Sequence, residues 1–280
     1  MGQNGTAGSV LNKLLKAKSS KLQAIFLNEK PDGNFPAHGP NPLMPGALKQ
    51  IQKAVIKHKA DFGVIFDADA DRVFFIDNLG RFINPDIIAR LLIWRLKPKK
   101  TIIDIRTGWL VRKCQMSNVK CQMFQSRVGH YFIKRLMRKI GADFSAEYSG
   151  HYYFKKFFYA DSGILAAIET INAVSKLPYK LSDFIDLLPQ YYRSGELNFK
   201  IENPQEILKK IERKFKIHYS KFITQNSHLD GLTMEFSPPT GGWRFNLRLS
   251  NTEPLARLNI ETISQKSLNQ KIKELRALLI

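Results

Sequence analysis

The chain has 280 residues, with 44 lysines and arginines against 24 aspartates and glutamates, a net charge of +20. Its 44% hydrophobic and 11% aromatic content excludes wholesale disorder, and the length suggests two or three domains with packed cores. No apolar run approaches the roughly 18 residues of a membrane-spanning helix, and the first ten residues lack the basic-then-apolar order of a secretory signal. The two cysteines, Cys114 and Cys121, exclude a disulfide framework, so a reducing, cytoplasmic setting is expected. In chain order, Leu22–Leu27 reads as a strand and Ala47–Lys59 as a helix with Leu48, Ile51, Val55 and Ile56 on one face. Between them lies a polar, proline-rich loop, Pro31–Pro45, of the length usual for functional or docked loops. Phe62–Phe66 and Val73–Ile76 are strand-like, Asp86–Leu96 helical and Thr101–Ile105 strand-like. Val128–Ile140 is amphipathic, through Phe132, Ile133, Leu136, Met137 and Ile140, and Asp161–Lys176 is a helix with Asp161 as its expected N-cap. After Leu188-Pro189 the texture changes to a helix at Pro204–Lys216, strands at Leu232–Phe236, Trp243–Leu249 and Leu255–Glu261, and a final helix at Gln265–Leu279. This pattern predicts α/β layers with parallel or mixed sheets followed by an antiparallel α+β unit, with breaks near Gly80 and Tyr192.

The positive charge is local. Trp94–Lys139 holds thirteen basic residues against one acid, Asp104. Apolar residues punctuate the segment, so most of these charges read as the solvated face of helices. Nucleic-acid binding gains no support, because no helix-turn-helix, RRM or zinc signature is present.

Four constellations carry chemistry. In the strongest, Asp67, Asp69 and Asp71 alternate with alanines directly after a strand, and Arg72 follows. Three carboxylates converging on one turn repel one another unless a hard divalent cation takes their oxygens, and the arginine adds a grip for phosphate. An EF-hand is excluded, since Arg72 and Asn78 stand where its glycine and glutamate belong. In the second, Arg248, Ser250 and Thr252 alternate around Asn251 in a turn closed by Pro254, as a phosphate cradle would. The third, Glu147-Tyr148-Ser149-Gly150-His151, offers a carboxylate, a hydroxyl and an imidazole to a polyol. The fourth is Arg127-Val128-Gly129-His130, at the start of the basic helix, where anions are favoured.

Together these segments resemble the α-D-phosphohexomutase superfamily, and within it the phosphomannomutase/phosphoglucomutase group. The family's metal loop, D-G-D-x-D-R, is matched at Asp67, Asp69, Asp71 and Arg72. Its sugar loop, G-E-M-S-G-H, is matched at Glu147, Ser149, Gly150 and His151, and its phosphate loop, R-x-S-N-T-E-P, from Arg248 to Pro254. Asn4-Gly5-Thr6-Ala7-Gly8 and Pro31–Pro42 also resemble the family, and Tyr148 and Asn251 lean toward the mannose/glucose type.

The resemblance implies domains two, three and four of a four-domain enzyme, at residues 1–80, 81–191 and 192–280. These would be two α/β domains with mixed sheets and a C-terminal α+β domain. The expectation is that the chain starts inside domain two and lacks domain one, whose T-A-S-H-N-P loop carries the phosphoserine. Ser227-His228 is no substitute, lying in the wrong context. The implied activity is transfer of a phosphoryl group between C1 and C6 of a hexose phosphate, through a hexose bisphosphate. The implied metal is Mg²⁺, on Asp67, Asp69 and Asp71. Arg72, Arg106 and His130 would be catalytic. Glu147, Ser149, His151, Arg248, Ser250, Asn251 and Thr252 would hold substrate. A separate phosphoserine-bearing domain or chain would be the partner; the competing reading is a non-catalytic sugar-phosphate binder. Three departures stand out. Ala68 and Ala146 replace usual glycines, and alanine at 68 costs about 1 kcal/mol or more if that position needs φ > 0. Arg106 replaces a usual lysine and cannot give up a proton.

Overall fold

The computed structural model describes residues 4–18, 22–37, 39–113, 120–201, 203–237, 242–250 and 255–279. The chain packs as two compact units. One comprises Met1–Ile103, Leu110–Phe124 and His130–Leu188; the other comprises Asp104–Trp109, Gln125–Gly129 and Pro189–Ile280.

The first unit opens with α1 (Ala7–Lys18) and α2 (Lys49–His58). An antiparallel sheet follows, β1 (Phe62–Phe66), β2 (Val73–Asp77) and β3 (Phe82–Ile83), in that order. Phe62 pairs with Asp77 and Phe66 with Val73, so the loop 67–72 is the hairpin connection. All five residues of β2 are buried; the first four run apolar without alternation, and the fifth, Asp77, is paired with Arg81 at 2.6 Å. Ile51 and Val55 of α2 pack on Ile65, Phe74 and Ile76 of this sheet. Next come α3 (Pro85–Leu96), β4 (Lys100–Asp104), α4 (Trp109–Arg112), β5 (Gln122–Ser126), α5 (His130–Ile140), β6 (Phe144–Ala146), β7 (Tyr152–Phe154), β8 (Ala160–Asp161), α6 (Gly163–Val174) and α7 (Leu181–Asp186). The second sheet has the order β5-β4-β6-β7-β8 and is mixed: β4 and β6 run parallel, β6–β7 and β7–β8 antiparallel. Proline at the first turn and the Asn84 side chain, accepting from Asp86 N at 3.0 Å, start α3.

Two expectations are corrected here. Residues 22–26 form no strand. Instead Leu22, Ile25 and Phe26 line an apolar cavity of about 290 Å³ with Leu11, Val55 and Phe66, so the run spends its hydrophobicity on a cavity wall rather than a ladder. Asp161 does not cap α6. The cap is Ser162, whose hydroxyl accepts from Leu165 N at 3.1 Å, because the Asp161 carboxylate is engaged elsewhere.

The second unit contains β9 (Tyr192–Lys200), α8 (Pro204–Tyr219), β10 (Ile223–Ser227), β11 (Leu232–Phe236), β12 (Trp243–Leu249), β13 (Leu255–Thr262) and α9 (Gln265–Leu279). Its sheet, β10-β11-β12-β13-β9, is antiparallel throughout. The core is aromatic: Phe236 stacks on Trp243 at 4.4 Å and Phe215 meets Trp243 edge-on at 5.3 Å, each pair adding about 0.5–1.5 kcal/mol beyond its buried area. Lys271 closes this core, its ammonium 4.3 Å from the Trp243 ring centre and 2.8 Å from Glu274. Among the described residues no helix is long and apolar enough to cross a membrane.

Candidate functional site

In the first unit, the hairpin loop gathers its carboxylates. Oxygens of Asp67, Asp69 and Asp71 all lie within 4.8 Å of one another, with Asp67 buried and Asp69 exposed. Arg72 pins the buried member: its Nε is 2.5 Å from Asp67 Oδ2 and its backbone N donates to Oδ1 at 3.1 Å. Burial pushes the Asp71 carboxyl up to about 6. The charges of Asp67 and Asp69 push the same way, and His151 opposes them. Such crowding is what a hard cation with oxygen ligands relieves, so the donor set fits one. The left-handed backbone of the loop falls on Ala70, φ +64°, and not on Ala68. The strain expected at 68 therefore sits two residues later.

A second loop is stitched to the first. Residues 147–151 connect β6 to β7, and Arg72 and His151 form an antiparallel β-bridge, with Val73 N donating to Gly150 O at 3.1 Å. Gly150 has φ +90°, and a Cβ there would lie 2.8 Å from Phe74 Cζ, so only glycine makes this junction. Gly163 is required for a different reason. Its N donates to Ala70 O at 3.0 Å, and a Cβ would sit 2.8 Å from that same oxygen, so α6 starts directly against the carboxylate loop.

Within the 147–151 loop, Glu147 is buried and accepts from the Tyr153 hydroxyl at 2.6 Å, while Ser149 is half-buried. His151 Nδ1 lies 3.0 Å from Asp161 Oδ2 and 3.7 Å from Asp71 Oδ2. Burial disfavours the imidazolium, but the hydrogen bond to Asp161 and the charges of Glu147, Asp71 and Asp161 outweigh it and raise the imidazole pKa. Asp161 in turn is 2.8 Å from Lys134 Nζ. Burial opposes its ionisation too, yet His151 and Lys134 hold it well below the usual carboxylate range. Sequence reasoning missed Tyr153, Asp161 and Lys134 as parts of this site. Lys134 reads as solvated helix surface and Asp161 as a cap; Asp161 reaches its place through the pairing of β8 with β7 and of β7 with β6, which leaves no local signal. His130 is placed at the first turn of α5, exposed.

The second unit holds the remaining residues. Arg106 is buried and clasped by Asp104, with Nη2 2.8 Å from Oδ2 and the backbone N donating to Oδ1 at 2.6 Å. Arg248 Nη2 lies 2.9 Å from Glu196 Oε2, and Ser250 Oγ is 3.4 Å from Arg257 Nη2. Asn251 and Thr252 lie outside the described residues.

Three family models match in succession: phosphoglucomutase/phosphomannomutase alpha/beta/alpha domain II at residues 2–80, alpha/beta/alpha domain III at 84–192, and the C-terminal domain at 196–278. The chain belongs to the phosphoglucomutase/phosphomannomutase family. A phosphomannomutase of Methanocaldococcus jannaschii is 36% identical over 260 residues, spanning 91% of this chain and 56% of that protein. A phosphomannomutase of Escherichia coli K12 is 37% identical over 267 residues, spanning 92% of this chain and 57% of its own length. The crystal structure of a phosphoglucomutase/phosphomannomutase family protein from Burkholderia thailandensis superposes with a TM-score of 0.82 at 26% identity, covering 99% of this chain and 58% of that one. The chain thus spans under three-fifths of the family relatives named here.

Proposed function

We propose that this chain is the metal-, sugar- and phosphate-binding part of a hexose-phosphate mutase of the phosphomannomutase/phosphoglucomutase type, placed in the cytoplasm. The observation that carries the reading is the carboxylate loop 67–72 bridged through Arg72 and His151 to the loop that bears Glu147 and Ser149. Asp67, Asp69 and Asp71 would hold Mg²⁺, whose charge, when bound, stabilises a transferring phosphoryl group. Arg72 neutralises charge beside it. Glu147 and Ser149 accept and donate to sugar hydroxyls, and His151 supplies a positive edge. Arg248, Ser250, Asn251 and Thr252 take the phosphate that does not react. His130 touches substrate, and Arg106 keeps a positive charge at its position.

The donor in this reading is a phosphoserine on another domain or chain, since none of the 280 residues lies in a T-A-S-H-N-P loop. The bond from phosphorus to the serine oxygen breaks, a bond to a sugar oxygen forms, and the proton lost by the sugar hydroxyl ends on the freed serine oxygen. The second transfer reverses this at the other end of the hexose.

One observation favours a second reading, a sugar-phosphate binder without turnover. Arg106 stands where the resemblance puts lysine, and its guanidinium is held side-on by Asp104 through Nε and Nη2. One experiment separates the two. The chain is mixed with a phosphoserine-bearing domain from a relative, Mg²⁺, glucose 1-phosphate and a hexose bisphosphate. Formation of glucose 6-phosphate above either part alone supports the mutase. Binding without turnover supports the second reading, and the absence of both sinks each.

A further inference from the structure

A row of charges crosses the sheet of the second unit. Glu235 of β11, Arg244 of β12, Glu261 of β13 and Arg193 of β9 are successive direct partners across antiparallel ladders, so their side chains stand on one face with alternating sign. The opposite face carries Trp243, Phe245 and Leu247 into the aromatic core. Arg244 and Glu261 are buried, each 3% exposed. Glutamates on both sides compensate the buried arginine: Arg244 Nη1 is 3.7 Å from Glu261 Oε2 and its Nε is 4.0 Å from Glu235 Oε2. Residues 105–109, which follow β4, lie against this row. They pack with the second unit although the match to alpha/beta/alpha domain III runs through them.

Three successive carbonyls of this turn accept from the row's arginines. The Arg244 fork spans two of them, with Nη2 2.8 Å from Ile105 O and Nη1 2.7 Å from Thr107 O. Arg193 Nη2 takes the carbonyl between, Arg106 O, at 2.5 Å. Glu261 holds the far end, accepting from Trp109 N at 3.0 and 3.2 Å. Ile105, Arg106, Thr107 and Trp109 are all buried, and buried carbonyls in a turn have no ladder to join, so these bonds decide where the turn sits. The charged side chain that the turn carries is Arg106. Asp104 sets its direction, whereas the arginines of the sheet set the place of its backbone. A guanidinium is a rigid fork and fixes the two outer carbonyls at one spacing, which an ammonium on a flexible stem does not.

We propose that Arg244 and Arg193 are positioning residues for Arg106: they grip the turn by its carbonyls and so set where the Arg106 guanidinium stands toward a sugar phosphate. This rests on the reading of Arg106 as a positive charge beside the substrate. Neither Arg244 nor Arg193 touches ligand; each acts through Arg106. Misplacing a charged group by about 1 Å is enough to cost a site much of its effect, so the support matters as much as the group.

A clasp that only stabilises the fold and one that positions Arg106 differ in how their losses combine. Glucose 1,6-bisphosphate is titrated calorimetrically, with MgCl₂ and at fixed ionic strength, into the parent chain, Arg106→Gln, Arg244→Lys and the double variant. Arg106→Gln keeps a donor for Asp104 without the charge, and Arg244→Lys keeps the alternating charges of the row while losing the fork. Each single variant is expected to bind about fivefold or more weakly than the parent. On the Arg106→Gln background, Arg244→Lys should change affinity by less than about twofold, because its effect passes through Arg106. Hydrogen exchange at the amides of residues 105–109 should quicken in Arg244→Lys. Parent-like binding by Arg244→Lys, a loss that recurs in full on the Arg106→Gln background, or exchange as slow as the parent's overturns the proposal. Parent-like binding by Arg106→Gln instead refutes the reading of Arg106 itself, and the proposal falls with it. If Arg244→Lys does not fold, Arg193→Met, at a half-buried position, carries the same cycle with the same expected signs and the same grounds for rejection.

Discussion

Arg72 and His151 face one another as antiparallel bridge partners, and through them the carboxylate loop and the 147–151 loop become a single structural object. Arg72 holds Asp67 from one side of the bridge, and His151 reaches Asp71 and Asp161 from the other.

The bridge depends on Gly150. Replacing it with alanine puts a Cβ against Phe74 and forces an L-residue to φ +90°. Gly150→Ala is expected to cost about 2 kcal/mol or more in urea-induced unfolding. Mg²⁺ affinity should fall with it, because both loops move when the junction opens. An unaltered unfolding midpoint would contradict the geometry.

Tyr153→Phe removes the hydroxyl that donates to the buried Glu147 carboxylate. An acceptor left short of a donor in the interior costs about 1–3 kcal/mol. The expected result is a lower melting temperature together with weaker glucose 1-phosphate binding by calorimetry. A drop in stability alone would mean that Glu147 does not touch sugar.

Asp161→Asn tests the chain Lys134–Asp161–His151. The folded-state pKa of Asp161 is depressed below its ordinary value of 3.8. Its stabilising contribution is therefore fully present above pH 3.8 and is lost as pH falls through the lower folded value. Parent and Asp161→Asn should differ clearly in unfolding free energy at pH 7, and the gap should narrow steadily below pH 4. A gap that stays constant down to pH 3 would remove the ion pair from the account.

Asp69 is the exposed member of the carboxylate trio. Asp69→Asn should leave the fold intact, since the residue packs against little, while weakening Mg²⁺ binding by at least about tenfold, the low end of what even an outer-shell change costs a metal site. Isothermal titration with MgCl₂ reads this directly. Equal affinity in parent and variant would take Asp69 out of the ligand set.

What the sequence discloses and what it hides follow from range. The loop 67–72 is legible because its residues are consecutive, flanked by two strands whose apolar runs are unmistakable. The longer helices α2, α3, α5, α6, α8 and α9 and the strands β1, β2, β4, β11, β12 and β13 are legible for the same reason, as are a mixed sheet in the first unit and an antiparallel one in the second, whereas α1, β3, β5, α7, β9 and β10 carry too weak a local pattern to be read. Asp161 is not legible. An aspartate just before an apolar, alanine-rich helix is what a cap looks like, and only the fold reveals that Ser162 caps while Asp161 meets Lys134, 27 residues earlier. The pairing of Arg248 with Arg257 is half legible: once the turn between the two strands is recognised, the register follows, but Glu196 comes from a strand more than fifty residues away. Leu22–Leu27 misleads because hydrophobicity alone does not distinguish a strand from the wall of a cavity.

The left-handed turn at Ala70 has an engineering consequence. An alanine at φ +64° carries an energetic cost of about 1 kcal/mol that glycine would not, and its Cβ belongs to none of the three aspartates. The same methyl is buried in the core with Phe66 and Val73, so a glycine at position 70 exchanges that burial for the relief of strain without altering a single charge in the loop. A glycine there relaxes the turn but also loosens the unfolded chain, which offsets part of the gain. At position 68, where the backbone is right-handed or extended, the same substitution gives only the loss. Two alanines that look interchangeable in the sequence therefore differ in what a glycine does: at 70 it relieves strain and removes a buried methyl, at 68 it relieves none.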